Sequence, residues 1–401
     1  MSIGARKPPP QLGLKLKRAL GGKAGWTGVA AQIAFAAVLA WIAYEIVANA
    51  RANLEMQHIA SGFGFLGNTA GFGVSQSLIP YSESDTYTRV FLVGLLNTLL
   101  ASAIGIFFAT VIGFIVALCR LSPNWLLSRV GGIYVEIIRN LPLLFQLLFW
   151  YLAVFLALPE PRQSISLFGT LFLSNRGLVL PRPIGETGLD PFLAAIAVGI
   201  AGSLMLRHFA RRALFERGQR IRIWPYLPVL LIGLPLVMML VFGLPVRFEL
   251  PQLRGFNFAG GWRVTPEFVA LVVGLSTYTA AFIAEIVRAG IMSVHKGQME
   301  AGSSLGLRRG SVLRLIVLPQ AMRVIVPPLT NQYLNLTKNS SLAVAIGYPD
   351  LVSVFAGTTL SQTGQAIEIV AITMGVYLLL SLITSAIMSI YGWRINRSLR
   401  A

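Results

Sequence analysis

The sequence predicts an all-α polytopic membrane protein with about eight transmembrane helices. The 401-residue chain is 55% hydrophobic and only 12% charged, with a mean hydropathy of +0.70. Soluble domains carry about 25% charged residues, so this composition excludes a water-soluble globular enzyme. Apolar runs recur along the chain. Each run is long enough to cross a hydrocarbon core about 30 Å thick, which takes about 20 residues of helix.

Eight apolar segments are predicted to span the membrane. They cover residues 27–48, 90–118, 133–157, 191–206, 226–246, 266–288, 320–345 and 366–391. The fourth is short, and polar residues interrupt the seventh. The first could be read as a cleaved signal peptide, because Ala48-Asn49-Ala50 imitates a cleavage site. Its length exceeds the apolar core of about 7–15 residues found in signal peptides, which favours an uncleaved anchor.

The distribution of Lys and Arg predicts the orientation of these spans. Of the 33 basic residues, 24 fall on one side of the predicted topology and eight on the other, and Lys338 lies within the seventh span. Cytoplasmic loops of membrane proteins carry the excess of Lys and Arg. Both termini are therefore predicted to be cytoplasmic. The net charge of +18 then reflects topology and does not indicate nucleic-acid binding.

Residues for catalysis or metal binding are not apparent in the sequence. The single cysteine, Cys119, excludes an internal disulfide, and His58, His208 and His295 lie in separate loops without metal-ligand spacing. No G-x-x-x-x-G-K-[ST] string occurs, so the chain has no phosphate-binding loop for a nucleotide. We therefore expect no catalytic residues, no metal site and no enzyme activity in this chain. If ATP drives the protein, another chain binds it.

Polar side chains in the seventh span form the candidate translocation path. Asn331, Asn335 and Lys338 recur at i, i+4 and i+7 and so share one helical face, and Asn339 follows directly. Residues of this kind within a membrane usually face a bundle interior or an aqueous path. Structural hydrogen bonding between helices is the alternative. Near the end of the sixth span, Glu285 and Arg288 are three residues apart, which fits a local ion pair and a gating role equally well.

The most specific motif lies between the sixth and seventh spans. Glu300-Ala301-Gly302-Ser303-Ser304-Leu305-Gly306 is followed, after nine residues, by Ile316-Val317-Leu318-Pro319. This pattern resembles the E-A-A-x-x-x-G-x9-I-x-L-P signature of ABC importer permeases, with Gly302 replacing the second alanine. The resemblance implies a short cytoplasmic coupling helix that docks on an ATP-binding subunit. The coupling residues would be Glu300, Ala301, Gly302, Gly306, Ile316, Leu318 and Pro319.

The residue types suit that role. A helix beginning at Gln298 would place Glu300 in its first turn, where the helix dipole favours negative charge. Gly306 would permit a left-handed turn that a β-carbon resists.

Flanking segments are similar to the polar amino-acid branch of these permeases. The segments are 136–146, which contains Arg139-Asn140-Leu141-Pro142, and 280–298. The resemblance covers about 88–157 and 265–393, which implies the five-helix core of a type I ABC importer permease. The chain as a whole is most similar to a permease subunit of the proteobacterial general L-amino-acid transporters.

The resemblance divides the chain into a core and additions. The divisions are a basic cytoplasmic tail (1–26), an extra span with a periplasmic loop (27–89), the first core part (90–157), an insertion with two extra spans (158–264), the second core part (265–393, including the coupling loop 296–319) and a cytoplasmic tail (394–401).

The resemblance also implies a function. Such a subunit resides in the bacterial inner membrane and moves L-amino acids from periplasm to cytoplasm. It carries no cofactor itself, since ATP and Mg are bound by a pair of ATP-binding subunits. A second permease subunit and a periplasmic amino-acid-binding protein complete the complex. The alternative is a single-chain secondary transporter driven by an ion gradient, which would show internal repeats.

Overall fold

The computed structural model describes residues 23–56, 62–186, 188–219 and 222–398. Within these ranges the chain is mostly helical. The helices are α1 (Lys23–Met56), α2 (Tyr87–Arg120), α3 (Trp125–Asn140), α4 (Leu143–Phe155), α5 (Leu189–Arg217), α6 (Tyr226–Phe242), α7 (Pro266–Met292), α8 (Lys296–Ser304), α9 (Arg309–Ile346), α10 (Val352–Thr359, continued by Leu360–Thr363) and α11 (Ala366–Ser398). Single 3₁₀ turns cover Phe63–Gly67 and Pro161–Gln163. The predicted tail 1–26 lies mostly outside the described residues.

The described residues contain six helices long and apolar enough to cross a membrane, or seven if α3 and α4 form one bent span. The predicted count of eight is therefore not confirmed. One reason is α6, which is apolar but shorter than the roughly 20 helical residues that cross a membrane. The other is the predicted span 133–157, which is broken. Its two halves, α3 and α4, meet at an angle of 107°.

Proline causes the break between α3 and α4. Leu141 is extended, with φ −98° and ψ 131°, and Pro142 follows it. The ring of a proline clashes with an α-helical conformation of the residue before it, so the helix ends there. The freed carbonyl groups are satisfied locally, because Gln146 Nε2 donates to the backbone oxygens of Ile138 at 2.9 Å and Leu141 at 3.0 Å.

Helix α7 is the most buried of the long helices and forms the centre of the core. Helix α2 packs along it through small residues. A β-carbon on Gly113 would lie 2.7 Å from Ile283 Cβ, and Ser276 Oγ donates to the Gly105 carbonyl at 3.4 Å. Glycine and alanine at the contact allow two backbones to approach closely, which is how helices associate in membranes. Helices α4 and α9 also pack on α7.

The predicted insertion 158–264 contains β-structure that the sequence analysis did not predict. The described residues of this segment contain eight short strands: β1 (Ile165–Leu167), β2 (Leu171–Ser174), β3 (Gly177–Leu180), β4 (Arg182–Gly185), β5 (Val246–Glu249), β6 (Gln252–Arg254), β7 (Asn257–Ala259) and β8 (Trp262–Val264). They form a four-stranded antiparallel sheet in the order β1-β2-β3-β8 and the pairs β4-β5 and β6-β7. The description all-α therefore holds for the spans and not for this segment.

Candidate functional site: the coupling segment and the polar face of α9

Residues 296–319, the predicted coupling loop, form the segment that is called the coupling segment, and helix α8 is its first helix. His295 caps its start, since His295 Nδ1 accepts a hydrogen bond from Gly297 N at 3.1 Å. The helix begins at Lys296, two residues earlier than expected, so Glu300 lies in the second turn and the first turn holds no acidic residue. The expectation that the helix dipole stabilises Glu300 is therefore wrong, because that effect falls off beyond the first turn.

The end of α8 is a tight left-handed turn. Gly306 has φ +75°, and an added β-carbon would meet no atom within 4 Å. The turn is closed by hydrogen bonds from Gly306 N to the Ser303 carbonyl at 2.9 Å and from Leu307 N to the Gly302 carbonyl at 3.3 Å. The structure agrees with the conformation expected of Gly306. Glycine is required there by backbone conformation and not by lack of space.

Gly302 attaches α8 to the rest of the chain. It is the buried residue of this helix, and a β-carbon on it would lie 2.9 Å from Ile316 Cδ1 and 3.0 Å from Val312 Cγ2. Ile316, one of the predicted coupling residues, therefore packs against the buried side of α8 at Gly302. Leu318 and Pro319 follow at the point where π-helical geometry over Leu313–Val317 returns to α-helix.

The opposite side of the coupling segment is uncovered. Glu300 and Ala301 are exposed, and Leu305 is 80% exposed at the turn. The segment thus packs on the chain through one side and leaves its other side exposed.

Three of the four candidate path residues lie on the surface of the chain. Asn331, Asn335 and Lys338 are all exposed, and Asn339 is half-buried. The buried residues of this part of α9, Leu329, Leu336 and Thr337, lie on another face. The shared face thus points away from this chain's own bundle, which corrects the expectation that it could face the bundle interior.

Hydrogen bonds satisfy the hydroxyl groups of this stretch but not its longer side chains. Thr337 and Ser340 each donate to a backbone carbonyl on the preceding turn, at 3.0 and 2.8 Å. Among the described residues, the side chains of Asn331, Asn335 and Lys338 have no hydrogen-bond or ion-pair partner. Unpaired polar groups facing lipid are costly. In a membrane this face therefore requires another protein chain, an aqueous path or both.

Comparisons with known proteins decide the family. Residues 195–397 match the family model described as the inner membrane component of binding-protein-dependent transport systems. The general L-amino acid transport system permease protein AapQ of Rhizobium johnstonii is 49% identical over 359 residues, which cover 89% of each chain. The chain belongs to the family of inner membrane components of binding-protein-dependent transport systems.

Other relatives of this permease cover a similar share of its length. YhdX of Escherichia coli K12, provisionally named an amino-acid ABC transporter permease, is 53% identical over 367 residues, or 92% of each chain. The glutamate/glutamine/aspartate/asparagine transport system permease protein BztB of Rhodobacter capsulatus is 39% identical over 387 residues, covering 89% of this chain and 90% of that protein.

An ion network joins α2 of the permease to the helix that leads into the coupling segment. Glu285 forms an ion pair with Arg288 on its own helix, with an N–O distance of 2.6 Å, which is the local ion pair that the sequence predicted as one of two alternatives. Glu285 also forms an ion pair with Arg120 at the end of α2. Sequence analysis missed Arg120, which is 165 residues away. The available signal was that both residues lie at the same predicted membrane boundary. The network ties α7, which ends three residues before α8 begins, to α2.

Substitution of Gly302 tests the support of α8. We expect Gly302→Ala to be tolerated, because the β-carbon meets only side-chain ends, Ile316 Cδ1 at 2.9 Å and Val312 Cγ2 at 3.0 Å, and Ile316 can move away by rotation. Gly302→Leu should destabilise the segment by about 1–3 kcal/mol, the usual cost of overpacking. The check is the apparent unfolding temperature of the purified permease, with Gly310→Leu as a control because Gly310 faces open space. Equal unfolding temperatures for the two leucine variants would contradict the packing argument.

Proposed function

We propose that this permease is the membrane subunit of an ATP-binding-cassette importer that moves L-amino acids, with a polar or broad range, from periplasm to cytoplasm. The observation that carries this proposal is the coupling segment, in which α8 packs through Gly302 and leaves Glu300, Ala301 and Leu305 uncovered. A helix held on one face and free on the other suits docking into a groove of an ATP-binding subunit. The amino-acid substrate is proposed from the names of AapQ and BztB.

Energy coupling in this proposal depends on partner chains. The sequence has no phosphate-binding loop, so a pair of ATP-binding subunits would hold ATP and Mg. Binding and hydrolysis there would reach the spans through Glu300, Ala301, Gly302, Gly306, Ile316, Leu318 and Pro319, since coupling between chains needs a physical contact. A periplasmic amino-acid-binding protein would deliver the substrate.

A second permease subunit, a different chain as the resemblance implies, would cover the polar face of α9. Asn331, Asn335, Lys338 and Asn339 would then line a path between the two subunits. This arrangement explains why the polar face is exposed in a single chain and yet lies within a membrane-spanning helix. The ammonium of Lys338 would pair with the carboxylate of a passing amino acid.

The proposed orientation follows the charge distribution. With 24 basic residues on one side and eight on the other, both termini and the coupling segment would lie in the cytoplasm of a bacterial inner membrane. The secondary-transporter alternative has no comparable support. It offers no role for the uncovered coupling segment, and the family is that of binding-protein-dependent systems.

A cross-linking experiment tests the proposal. In a Cys119→Ser background, Ser303→Cys on the exposed side of α8 should cross-link to an ATP-binding subunit that co-purifies in mild detergent. Ser84→Cys, exposed in the predicted periplasmic loop, should not. Co-purifying chains are identified by mass spectrometry. The proposal fails if no nucleotide-binding chain co-purifies, or if the isolated permease hydrolyses ATP by itself.

A further inference from the structure

A cavity lies at the predicted cytoplasmic end of the spans, beside the ion network. Its volume is about 580 Å³, and it is bounded by the turn after α2, the first turns of α3 and the end of α7. Its walls include three arginines, Arg120, Arg129 and Arg288, together with Glu136. Neither the coupling segment nor the polar face of α9 contributes to it, so it is separate from both.

The charges around the cavity leave a positive excess. Arg120 and Arg288 share the single carboxylate of Glu285, and their side chains stay 18% and 29% exposed. Arg129 has no ion pair with any described residue. Three guanidinium groups thus face two carboxylates, those of Glu285 and Glu136. A ligand with one negative charge, bound among these groups, would bring the net charge of the cavity to zero.

The ends of the predicted spans place the opening of the cavity at the level of the membrane interface. Helix α2 ends at Arg120 and α3 begins at Trp125, whose side chain is 75% exposed at the cavity wall. Trp is enriched at this level, where its ring meets lipid headgroups. Ser122, another wall residue, accepts a hydrogen bond from Asn124 N at 3.2 Å, so its hydroxyl proton is available to an anion.

We propose that this cavity binds the phosphate of an anionic phospholipid of the inner leaflet. A phosphodiester carries one negative charge, and the planar guanidinium of arginine matches phosphate geometry by paired hydrogen bonds. Basic pockets between transmembrane helices on the cytoplasmic side bind such headgroups. Lipid is the source because the opening lies where two spans meet the interface. The inner-leaflet assignment rests on the orientation proposed above.

Occupancy of the cavity would act on the coupling segment. A phosphate between Arg129 and Arg288 competes with Glu285 for the Arg288 guanidinium, and Glu285 is the residue that ties α7 to α2. The end of α7 is three residues from the start of α8. Headgroup binding would therefore change how firmly α7 holds the coupling helix.

Lipid retention by the purified complex tests the site. The complex is placed in nanodiscs of phosphatidylcholine alone or mixed with phosphatidylglycerol, and tightly bound lipid is counted by native mass spectrometry. Arg129→Gln should lower phosphatidylglycerol retention by about tenfold, the effect expected for the loss of one charge-assisted hydrogen bond. The control, Arg217→Gln, removes an exposed arginine at the end of α5 and should retain lipid as the unmodified complex does. ATP hydrolysis should respond to phosphatidylglycerol in the control and several-fold less in Arg129→Gln.

Two further measurements distinguish a lipid headgroup from a soluble phosphate and from a protein interface. Soluble glycerol phosphate added to phosphatidylcholine nanodiscs should not reproduce the response, and a full response to it would overturn the lipid source. Equal phosphatidylglycerol retention by both variants would overturn the site. Loss of the ATP-binding subunit from Arg129→Gln would show that the cavity is a protein interface instead. Lipid retention is measured without transport, so its failure is distinguishable from failure of the proposed import function.

Discussion

Gly306→Val is expected to lower amino-acid uptake and partner-stimulated ATP hydrolysis together, by about tenfold, while the permease still inserts in the membrane. Gly306 has φ +75°, a conformation that costs a residue with a β-carbon about 1–2 kcal/mol, and 1.4 kcal/mol is a factor of ten. A branched side chain at this backbone conformation is a pronounced outlier. The backbone of the turn would move to a more favourable φ, and α8 would shift from the position in which Gly302 packs against Ile316.

The matched control for this prediction is Gly310→Val. Gly310 lies four residues further along, faces open space and has no left-handed backbone conformation. Uptake and ATP hydrolysis by the reconstituted complex are the measurements, and membrane yield confirms insertion. If Gly306→Val is as active as Gly310→Val, the turn has no role in coupling.

Lys338→Met is expected to reduce uptake by about tenfold or more without releasing the ATP-binding subunit. The ammonium of Lys338 is exposed within a membrane-spanning helix and has no partner among the described residues. A carboxylate passing along this face would gain a charge-assisted hydrogen bond, worth about 1.5–3 kcal/mol. Methionine keeps the length of the side chain and removes the charge.

Arg323→Met is the control for the path prediction. Arg323 is an exposed basic residue on the same helix, 15 residues earlier and so about 22 Å away along the axis. Uptake of labelled amino acids into proteoliposomes is measured for both variants, with co-purification of the partner chains as the test of assembly. Normal uptake by Lys338→Met would make Lys338 a structural residue and leave the path to the asparagines.

Most of the spans could be predicted because membrane insertion leaves a strong local signal. A run of apolar residues must be helical, since no water is present to satisfy an open backbone. The same holds for Gly306, where one residue type in a spaced motif indicated a left-handed turn that the structure contains. The bend between α3 and α4 was missed although Pro142 is visible in the sequence, because hydropathy averages over such a break.

Contacts distant in sequence could not be predicted. The bond between Arg120 and Glu285 joins residues 165 positions apart, and no local pattern indicates which arginine a half-buried carboxylate will meet. The strands of 158–264 are only three or four residues long, too short for an alternating pattern to distinguish them from loops. They form because antiparallel neighbours supply hydrogen bonds, and pairing is a tertiary property.

The sequence by itself determined that this protein is a multi-span membrane chain with a motif between two spans that resembles the coupling signature of ABC importer permeases, and with a polar face on α9. These features follow from residue type and spacing along one helix or one turn, where the physics is local. Only the tertiary structure decided which sides of those elements are covered. It placed Gly302 against Ile316, turned Asn331, Asn335 and Lys338 away from the bundle, and gathered three arginines from three helices around one cavity. Burial depends on which helices pack together, and that is a property of the whole chain.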